Sequence, residues 1–293
     1  GTTWLSRMLT SVRGSRLIYE PLHPGHVSLP ETLQPPLRDV DERPYIRPQS
    51  DAAEWARFIA ELYSGRYQNR WTRYSGIMKK SLIPQVWLNS LFANRVVAKS
   101  IRSNLMLGWL SRNSNYKVVL LLRHPCATVL SQQQRNWGIN LPMLIGDNEL
   151  QADYLVEHED YLQKELSELS QRAVRWAIEN SVPIQQAKNG EDIYILTYED
   201  LVNDPSGQLR LLLRFLGWQF DEEQWQRVEA RIGVGFSGLT DPVSNSDLLS
   251  RWTHKLSPAQ VDQVLTSVHT FDVDIYDENI MPRSGAQTGF TEV

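Results

Sequence analysis

Val118-Val119-Leu120-Leu121-Leu122 is the longest apolar run in the 293-residue chain, and Arg123-His124-Pro125 follows it directly. A short, unbroken run of branched apolar residues is typical of a strand buried on both faces of a parallel sheet. Proline is favoured in the first turn of a helix, so Pro125 predicts a helix that continues to about residue 136. The sequence therefore predicts a strand that ends at Arg123 and passes directly into a helix.

Further strands and helices alternate on both sides of this segment. Strands are predicted at residues 16–19, 96–98 and 192–198, and helices at 2–13, 51–63, 83–93, 105–110, 205–216 and 222–232. Residues 137–150 are predicted as a loop, and one long helix with apolar residues from Leu155 to Trp176 is expected after it. Ser257-Pro258-Ala259-Gln260 predicts a capping box for a final helix.

This alternation indicates an α/β fold in which a parallel sheet is flanked by helices on both faces. Ligands of such sheets bind at the carboxyl ends of the strands. Glu20, Lys99, Arg123 and Tyr198 each lie at or near a predicted strand end. We therefore expect these four side chains to share one edge of the sheet.

The composition is that of an ordinary globular protein, with 41% hydrophobic and 22% charged residues. No apolar run approaches the ~20 residues that span a bilayer, and no signal-peptide pattern is present. Cys126 is the single cysteine, and the sequence contains no Asn-x-Ser/Thr site. These features favour a protein of the reducing cytoplasm.

The net charge of −4 argues against a general nucleic-acid binder. The charge is divided unevenly, because residues 1–150 hold 19 Lys/Arg and 10 Asp/Glu, whereas residues 151–293 hold 11 and 24. A basic half in an acidic protein suggests an anionic small ligand held by a few cations, although solvated surface charges would give the same pattern.

Two short motifs are candidates for holding phosphate. Gly1-Thr2-Thr3 opens a helical pattern, and the N–H groups of a first turn with two hydroxyls form an anion site, or else a simple helix cap. Arg123 leaves its strand, and Ser131 lies two turns into the next helix with its side chain directed back toward the helix start. Arg123 and Ser131 could together hold the same phosphate, or Arg123 could pair with a surface carboxylate.

The order of these motifs resembles that of the PAPS-dependent sulfotransferases. Gly-Thr-Thr-Trp-Leu is followed by Lys-x-x-Arg, by a strand with Arg-His-Pro and Ser, and by Tyr-Glu-Asp-Leu-Val-x-Asp-Pro. The resemblance implies a P-loop-like fold whose first strand, upstream of Gly1, is missing from this sequence. It also implies a single domain over residues 1–293, with residues 31–92 and 137–172 as variable inserts on the substrate side.

The same resemblance implies a donor and the residues that bind it. The donor would be PAPS (3′-phosphoadenosine 5′-phosphosulfate), the product PAP, and no metal would be needed. Residues of the opening loop would hold the 5′-phosphosulfate, two residues would hold the 3′-phosphate, and one tyrosine would lie near the nucleotide. In that order they are Gly1, Thr2, Thr3 and Trp4; Arg123 and Ser131; and Tyr198.

The likeness is strongest to the carbohydrate sulfotransferases, in a soluble bacterial form. Leu17-Ile18-Tyr19-Glu20-Pro21-Leu22 resembles their strand-Glu-Pro motif, and Lys99-Ser100-Ile101-Arg102 resembles their Lys-x-x-Arg. The phenol and steroid branch has a histidine where Ile101 stands, so that branch fits poorly. Residues 22–26, Leu-His-Pro-Gly-His, depart from the carbohydrate pattern beside the expected acceptor pocket.

Transfer of a sulfuryl group to a hydroxyl needs a base and a cation. We expect Glu20 to be the general base and Lys99 to stabilise the transferring group, with Arg102 and His26 contacting the acceptor. His23, His26 and His124 are alternative bases, and Cys126 is expected to be a packing residue. The spacing His23-x-x-His26 contains Pro and Gly, which disfavours a metal site.

The expected activity is in-line sulfuryl transfer from PAPS to a hydroxyl of a carbohydrate or glycoside. The basic and aromatic residues between 66 and 80 could grip an anionic glycan, or form a surface loop. Alternatives are a sulfotransferase for a non-sugar alcohol or lipid, a P-loop kinase, and a binding protein without activity. No nucleic-acid partner and no membrane span are expected, and the sequence leaves the oligomeric state open.

Overall fold

The computed structural model describes residues 1–27, 43–64, 69–74, 93–232 and 245–283, together with Pro84 and Leu88. The chain divides into two compact units. The first comprises Gly1–Val40, Asp51–Ser103 and Pro205–Pro242, and the second comprises Asp41–Ser50, Asn104–Asp204 and Val243–Val293. The predicted helix over 83–93 falls almost wholly outside the described residues, as do most of residues 66–80.

The described residues of the first unit form one pair of parallel strands, β1 (Ser15–Tyr19) and β2 (Arg95–Lys99), with Tyr19 opposite Lys99. The helix Thr2–Leu9 precedes β1 and buries Trp4, Leu5, Met8 and Leu9 on one face. Gly14 joins this helix to β1 with a φ of 77°, a conformation that favours glycine. The other helices of this unit are Ala53–Ser64, Arg70–Tyr74, Pro205–Phe215 and Glu222–Ile232.

The second unit contains the other parallel pair, β3 (Val118–Leu122) and β4 (Ile193–Thr197), with Leu122 opposite Thr197. Its longest helix, Glu168–Lys188, packs against Pro125–Gln134 and Pro258–His269. The remaining α-helices are Leu107–Asn113, Leu141–Ile145, Asn148–Leu150, Glu159–Leu162, Tyr198–Asn203 and Asn245–Ser250. Short 3₁₀ segments, Asn104–Met106, Val156–His158 and Arg251–His254, and one π-helical turn, Gln151–Leu155, complete it.

The predicted α/β class, with parallel strands flanked by helices, is confirmed. The predicted loop over 137–150 is wrong, because it contains two short helices. Leu141 and Leu144 are buried in the core, and the Asp147 carboxylate accepts the Leu150 N–H at 2.9 Å. Burial of two leucines on one turn of helix outweighs the loop-like composition of this segment.

The expectation of one long helix from residue 155 to 176 is also wrong. The chain passes through π, 3₁₀ and short α segments up to Leu162, and the continuous helix begins only at Glu168. Ser167 caps that helix by accepting the Ser170 N–H at 3.2 Å. A serine cap begins a new helix because it satisfies N–H groups that a continuing helix would already have bonded.

The predicted capping box provides a test of local stability in the second unit. The Ser257 hydroxyl accepts the Gln260 N–H at 3.3 Å, and the Gln260 side chain accepts the Ser257 N–H at 2.9 Å. We expect Ser257→Ala to lower the free energy of unfolding by about 1 kcal/mol, measured by urea denaturation. Thr266→Ala, at an exposed position within the same helix, should cause no loss; an equal loss in both variants would contradict the capping argument.

Candidate functional site

Glu20 is the central residue of a charged cluster in the first unit. It directly follows β1, the residue is 4% exposed, and its N–H donates to the Lys99 carbonyl at 2.7 Å. Its φ is 43°, in the left-handed region that non-glycine residues seldom adopt. Such backbone strain is found where surrounding structure holds a side chain in a required position.

Both carboxylate oxygens of Glu20 are occupied. Lys99 Nζ pairs with Oε1, whereas Oε2 accepts the Ile101 N–H at 3.2 Å and the Arg102 guanidinium at 3.3 Å. Lys99 and Arg102 are themselves buried. The structure therefore places three predicted site residues, Glu20, Lys99 and Arg102, in one cluster of two cations and one anion.

An aromatic cluster surrounds the loop that follows Glu20, and Trp71 of the helix Arg70–Tyr74 is at its centre. The His26 ring stacks on Trp71 with centroids 3.8 Å apart, and His23 and Tyr19 meet Trp71 edge-on at 5.2 and 5.6 Å. Lys99 Nζ lies 5.0 Å from the centre of the Tyr19 ring, which connects the aromatic and charged clusters. Burial, reinforced by nearby Arg102, lowers the pKa of His23, so this imidazole is neutral at pH 7.

The opening motif forms the start of the first helix, as predicted. Thr2 is the first helical residue, Gly1 is the N-cap, and no side chain caps the turn. The N–H groups of such a turn carry the positive end of the helix dipole. Trp4 is buried on the core face of this helix, whereas Thr2 and Thr3 are partly exposed.

The predicted 3′-phosphate residues lie in the second unit. Arg123 follows β3, and its guanidinium carbon lies 4.9 Å from the centre of the Tyr198 ring, at the end of β4. The Arg123 Nε is buried and has no hydrogen-bond partner within the described parts of the chain. Ser131 is partly buried, in the second turn of the helix Pro125–Gln134.

His124 and Cys126 have structural roles. The His124 ring is fully buried, and its Nδ1 accepts the Cys126 N–H at 3.2 Å while its Nε2 contacts the Asp277 carbonyl at 3.0 Å. Both ring nitrogens are used, so His124 is a helix cap and not a base. Burial raises the pKa of the Cys126 thiol to about 12, which agrees with a packing residue.

Two residues that contact or surround His124 in the second unit were not identified from the sequence. Glu199 is 1% exposed, and its carboxylate accepts the His124 N–H at 3.0 Å and the Tyr276 hydroxyl at 2.8 Å. Glu199 could have been suspected, because it follows Tyr198 in the Tyr-Glu-Asp motif. Tyr276 lies in an irregular segment near the end of the described chain and carries no such signal.

Within the residues that the structure describes, no helix is long and apolar enough to cross a bilayer. The same part of the chain contains no group of three or more His, Cys, Asp or Glu side chains placed to hold a metal ion.

Comparison with known proteins identifies one family. A family model described as "Sulfotransferase family" matches residues 1–222. Among solved structures, the chain is similar to the sulfotransferase domain from the curacin biosynthetic pathway, with 17% identity and a TM-score of 0.41. That match covers 90% of this chain and 92% of the other. No curated protein sequence matches the chain.

The buried His124 predicts a specific loss of stability in acid. Burial lowers its pKa from 6.5 to about 4, so between these values the unfolded chain binds a proton that the folded chain does not. The free energy of unfolding should therefore fall as the pH drops through this window, by roughly 3 kcal/mol in total, measured by urea denaturation at each pH.

His124→Asn keeps a capping oxygen and should remove this part of the pH dependence. His254→Gln, at an exposed histidine, should leave it unchanged. An identical acid profile for wild type and His124→Asn would refute the assignment.

Proposed function

The chain belongs to the sulfotransferase family, and from this premise we propose that it transfers the sulfuryl group of PAPS to a hydroxyl of a carbohydrate or glycoside. The observation that carries the proposal is the buried cluster of Glu20, Lys99 and Arg102 at the ends of β1 and β2. Such a cluster offers a proton acceptor and cations within one site, which sulfuryl transfer to a hydroxyl requires.

The proposed reaction is a direct displacement at sulfur. The acceptor oxygen attacks the sulfur, the bond from sulfur to the 5′-phosphate oxygen breaks, and the hydroxyl proton passes to Glu20. The products are a sulfate ester and PAP. As in phosphoryl transfer, negative charge spreads over the oxygens of the transferring and leaving groups, so the protein contributes mainly positioning and positive charge.

We propose that Lys99 exchanges partners during this reaction. Without a donor, Lys99 pairs with Glu20 and occupies one oxygen of that carboxylate. The anionic oxygens of a bound donor offer Lys99 a second partner. When the ammonium moves to them, it stabilises the leaving phosphate, and the Glu20 oxygen that it occupied becomes free to accept the hydroxyl proton.

The donor residues are proposed from the family pattern and the chemistry of their positions. The N–H groups and hydroxyls of the turn Gly1–Trp4 would hold the 5′-phosphosulfate. Arg123 and Ser131 would hold the 3′-phosphate, with Tyr198 beneath the Arg123 guanidinium. The buried, unpartnered Nε of Arg123 fits this role, because a phosphate oxygen would supply the acceptor that the described residues lack.

The acceptor class is proposed from the rings beside Glu20. Trp71, His26, His23 and Tyr19 form a polar aromatic surface, and such surfaces stack on the apolar faces of sugars. Arg102 and His26 would contact the polar groups of the acceptor. A non-sugar alcohol or a lipid hydroxyl remains the alternative acceptor, whereas family membership argues against a P-loop kinase. The single cysteine supports the cytoplasm as the proposed location.

Replacement of the proposed base tests the activity. The wild-type protein with PAPS and a panel of glycans and simple alcohols should give products heavier by one SO₃ group, measured by mass spectrometry. Glu20→Gln should reduce turnover by at least about 10²-fold, since base catalysis contributes about 10²–10⁴-fold. PAP affinity of this variant, measured by calorimetry, should stay within about threefold of wild type and shows that the protein is folded.

Glu54→Gln, at an exposed carboxylate of the same unit, should keep full activity. Normal turnover in Glu20→Gln would remove Glu20 from the mechanism. Wild-type binding of PAP without sulfation of any compound in the panel would favour a binding protein that lacks activity.

Replacement of Trp71 tests the acceptor side. Trp71→Ala should raise the KM for a glycan acceptor about fivefold and leave the KM for PAPS unchanged, because ring stacking contributes about 1 kcal/mol. Trp218→Ala, at a partly buried tryptophan of the same unit, should change neither value. A rise in the KM for PAPS alone would contradict an acceptor role for this cluster.

A further inference from the structure

Glu199 is a buried carboxylate that the proposed chemistry does not use. Its two oxygens accept hydrogen bonds from neutral donors, the His124 N–H at 3.0 Å and the Tyr276 hydroxyl at 2.8 Å. Burial raises its pKa, whereas these two hydrogen bonds, a third from the backbone N–H of Glu199 itself, and the nearby Arg123 oppose the rise. A buried carboxylate that is supported mainly by neutral donors reduces stability unless it serves another purpose.

The hydrogen bond to His124 acts on the backbone at the point where Arg123 leaves β3. The donated N–H belongs to the peptide group that joins Arg123 to His124, so the Glu199 carboxylate fixes that peptide plane. The His124 ring is fixed as well, because it stacks on Trp252 at 4.3 Å, meets Tyr276 at 5.0 Å and contacts the Asp277 carbonyl. The direction in which the Arg123 side chain departs is therefore determined by the residues around His124.

The side chain of Arg123 is supported by the neighbour of Glu199. The Tyr198 ring lies 4.9 Å from the guanidinium carbon, and Tyr198 and Glu199 are consecutive residues at the end of β4. Among the residues described, no hydrogen bond joins the Glu199 carboxylate to the Arg123 guanidinium, and the two charges attract each other through space. The buried Nε of Arg123 keeps its donor available, since it has no partner among the residues described.

We propose that Glu199, together with Tyr276, is a positioning residue that holds Arg123 ready for the 3′-phosphate of the donor. The two residues that follow β4 thus orient the arginine that follows β3. Glu199 acts through the backbone of His124, and Tyr198 acts through the face of its ring. This inference rests on the proposed function, because it assumes that Arg123 binds the 3′-phosphate. Glu199 itself does not touch the donor.

The test compares two nucleotides that differ only in the 3′-phosphate. PAP carries it, and adenosine 5′-monophosphate (AMP) does not. Glu199→Gln retains an oxygen for the His124 N–H and removes the negative charge, so the fold should survive. We expect this variant to lower PAP affinity about tenfold and to leave AMP affinity unchanged, measured by calorimetry on the full chain.

Two further variants separate positioning from general damage. Tyr276→Phe removes one hydroxyl and should lower the PAP affinity in the same selective way, by about threefold. Asp262→Asn, at an exposed carboxylate of the second unit, should change neither affinity. An equal loss of PAP and AMP affinity in Glu199→Gln, or no loss of either, would overturn the inference.

The same data also test the underlying proposal. If wild-type protein binds PAP and AMP equally well, then Arg123 does not read the 3′-phosphate and the donor assignment fails. If wild type prefers PAP and Glu199→Gln keeps that preference in full, then only the positioning role fails.

Discussion

The carboxylate of Glu20 holds the ends of two parallel strands together in the first unit. The backbone N–H of Glu20 donates to the carbonyl of Lys99, the last residue of β2. The Glu20 side chain binds two cations at the same strand end, those of Lys99 and Arg102. Removal of one partner from such a buried group typically costs 3–5 kcal/mol, since the remaining charges are left without compensation. The arrangement that the proposed chemistry requires is thus also the arrangement that keeps this strand end folded, and the strained φ of Glu20 is tolerated there.

In the described part of the second unit, the buried carboxylate of Glu199 is hydrogen-bonded by neutral groups and not by cations. Glu199 accepts hydrogen bonds from a peptide and a phenol, and Arg123 lies against the face of an aromatic ring, with no carboxylate paired to it among the residues that the structure describes. An ion pair would have neutralised Arg123 and made it a poor ligand for phosphate. In the first unit the cations are held by their carboxylate, whereas in the second the carboxylate is held by neutral groups and the cation remains available.

The strands, helix caps and charged strand ends could be predicted from the sequence because their causes are local. Val118–Leu122 is an apolar run of strand length, and Ser257 and Gln260 form a box within four residues. The new helix at Glu168 has a local signal in the Ser167 cap, whereas the π and 3₁₀ turns that begin at Gln151 interrupt a helical apolar spacing without such a signal. Tyr276 was missed for a similar reason, since it meets Glu199 from 77 residues away.

The spacing of the Lys99-x-x-Arg102 motif follows from the shape of the chain after β2. Lys99 is the last residue of the strand, and the chain then turns so that the N–H of Ile101 and the side chain of Arg102 reach the same Glu20 oxygen. Position 101 therefore contributes only its backbone, and its side chain is not needed for the cluster.

With Glu20 as the proposed base, the proton acceptor comes from the end of β1 instead of the turn after β2. On this proposal an isoleucine can stand where the phenol and steroid branch of the resemblance has a histidine, because the carboxylate of the neighbouring strand would accept the proton.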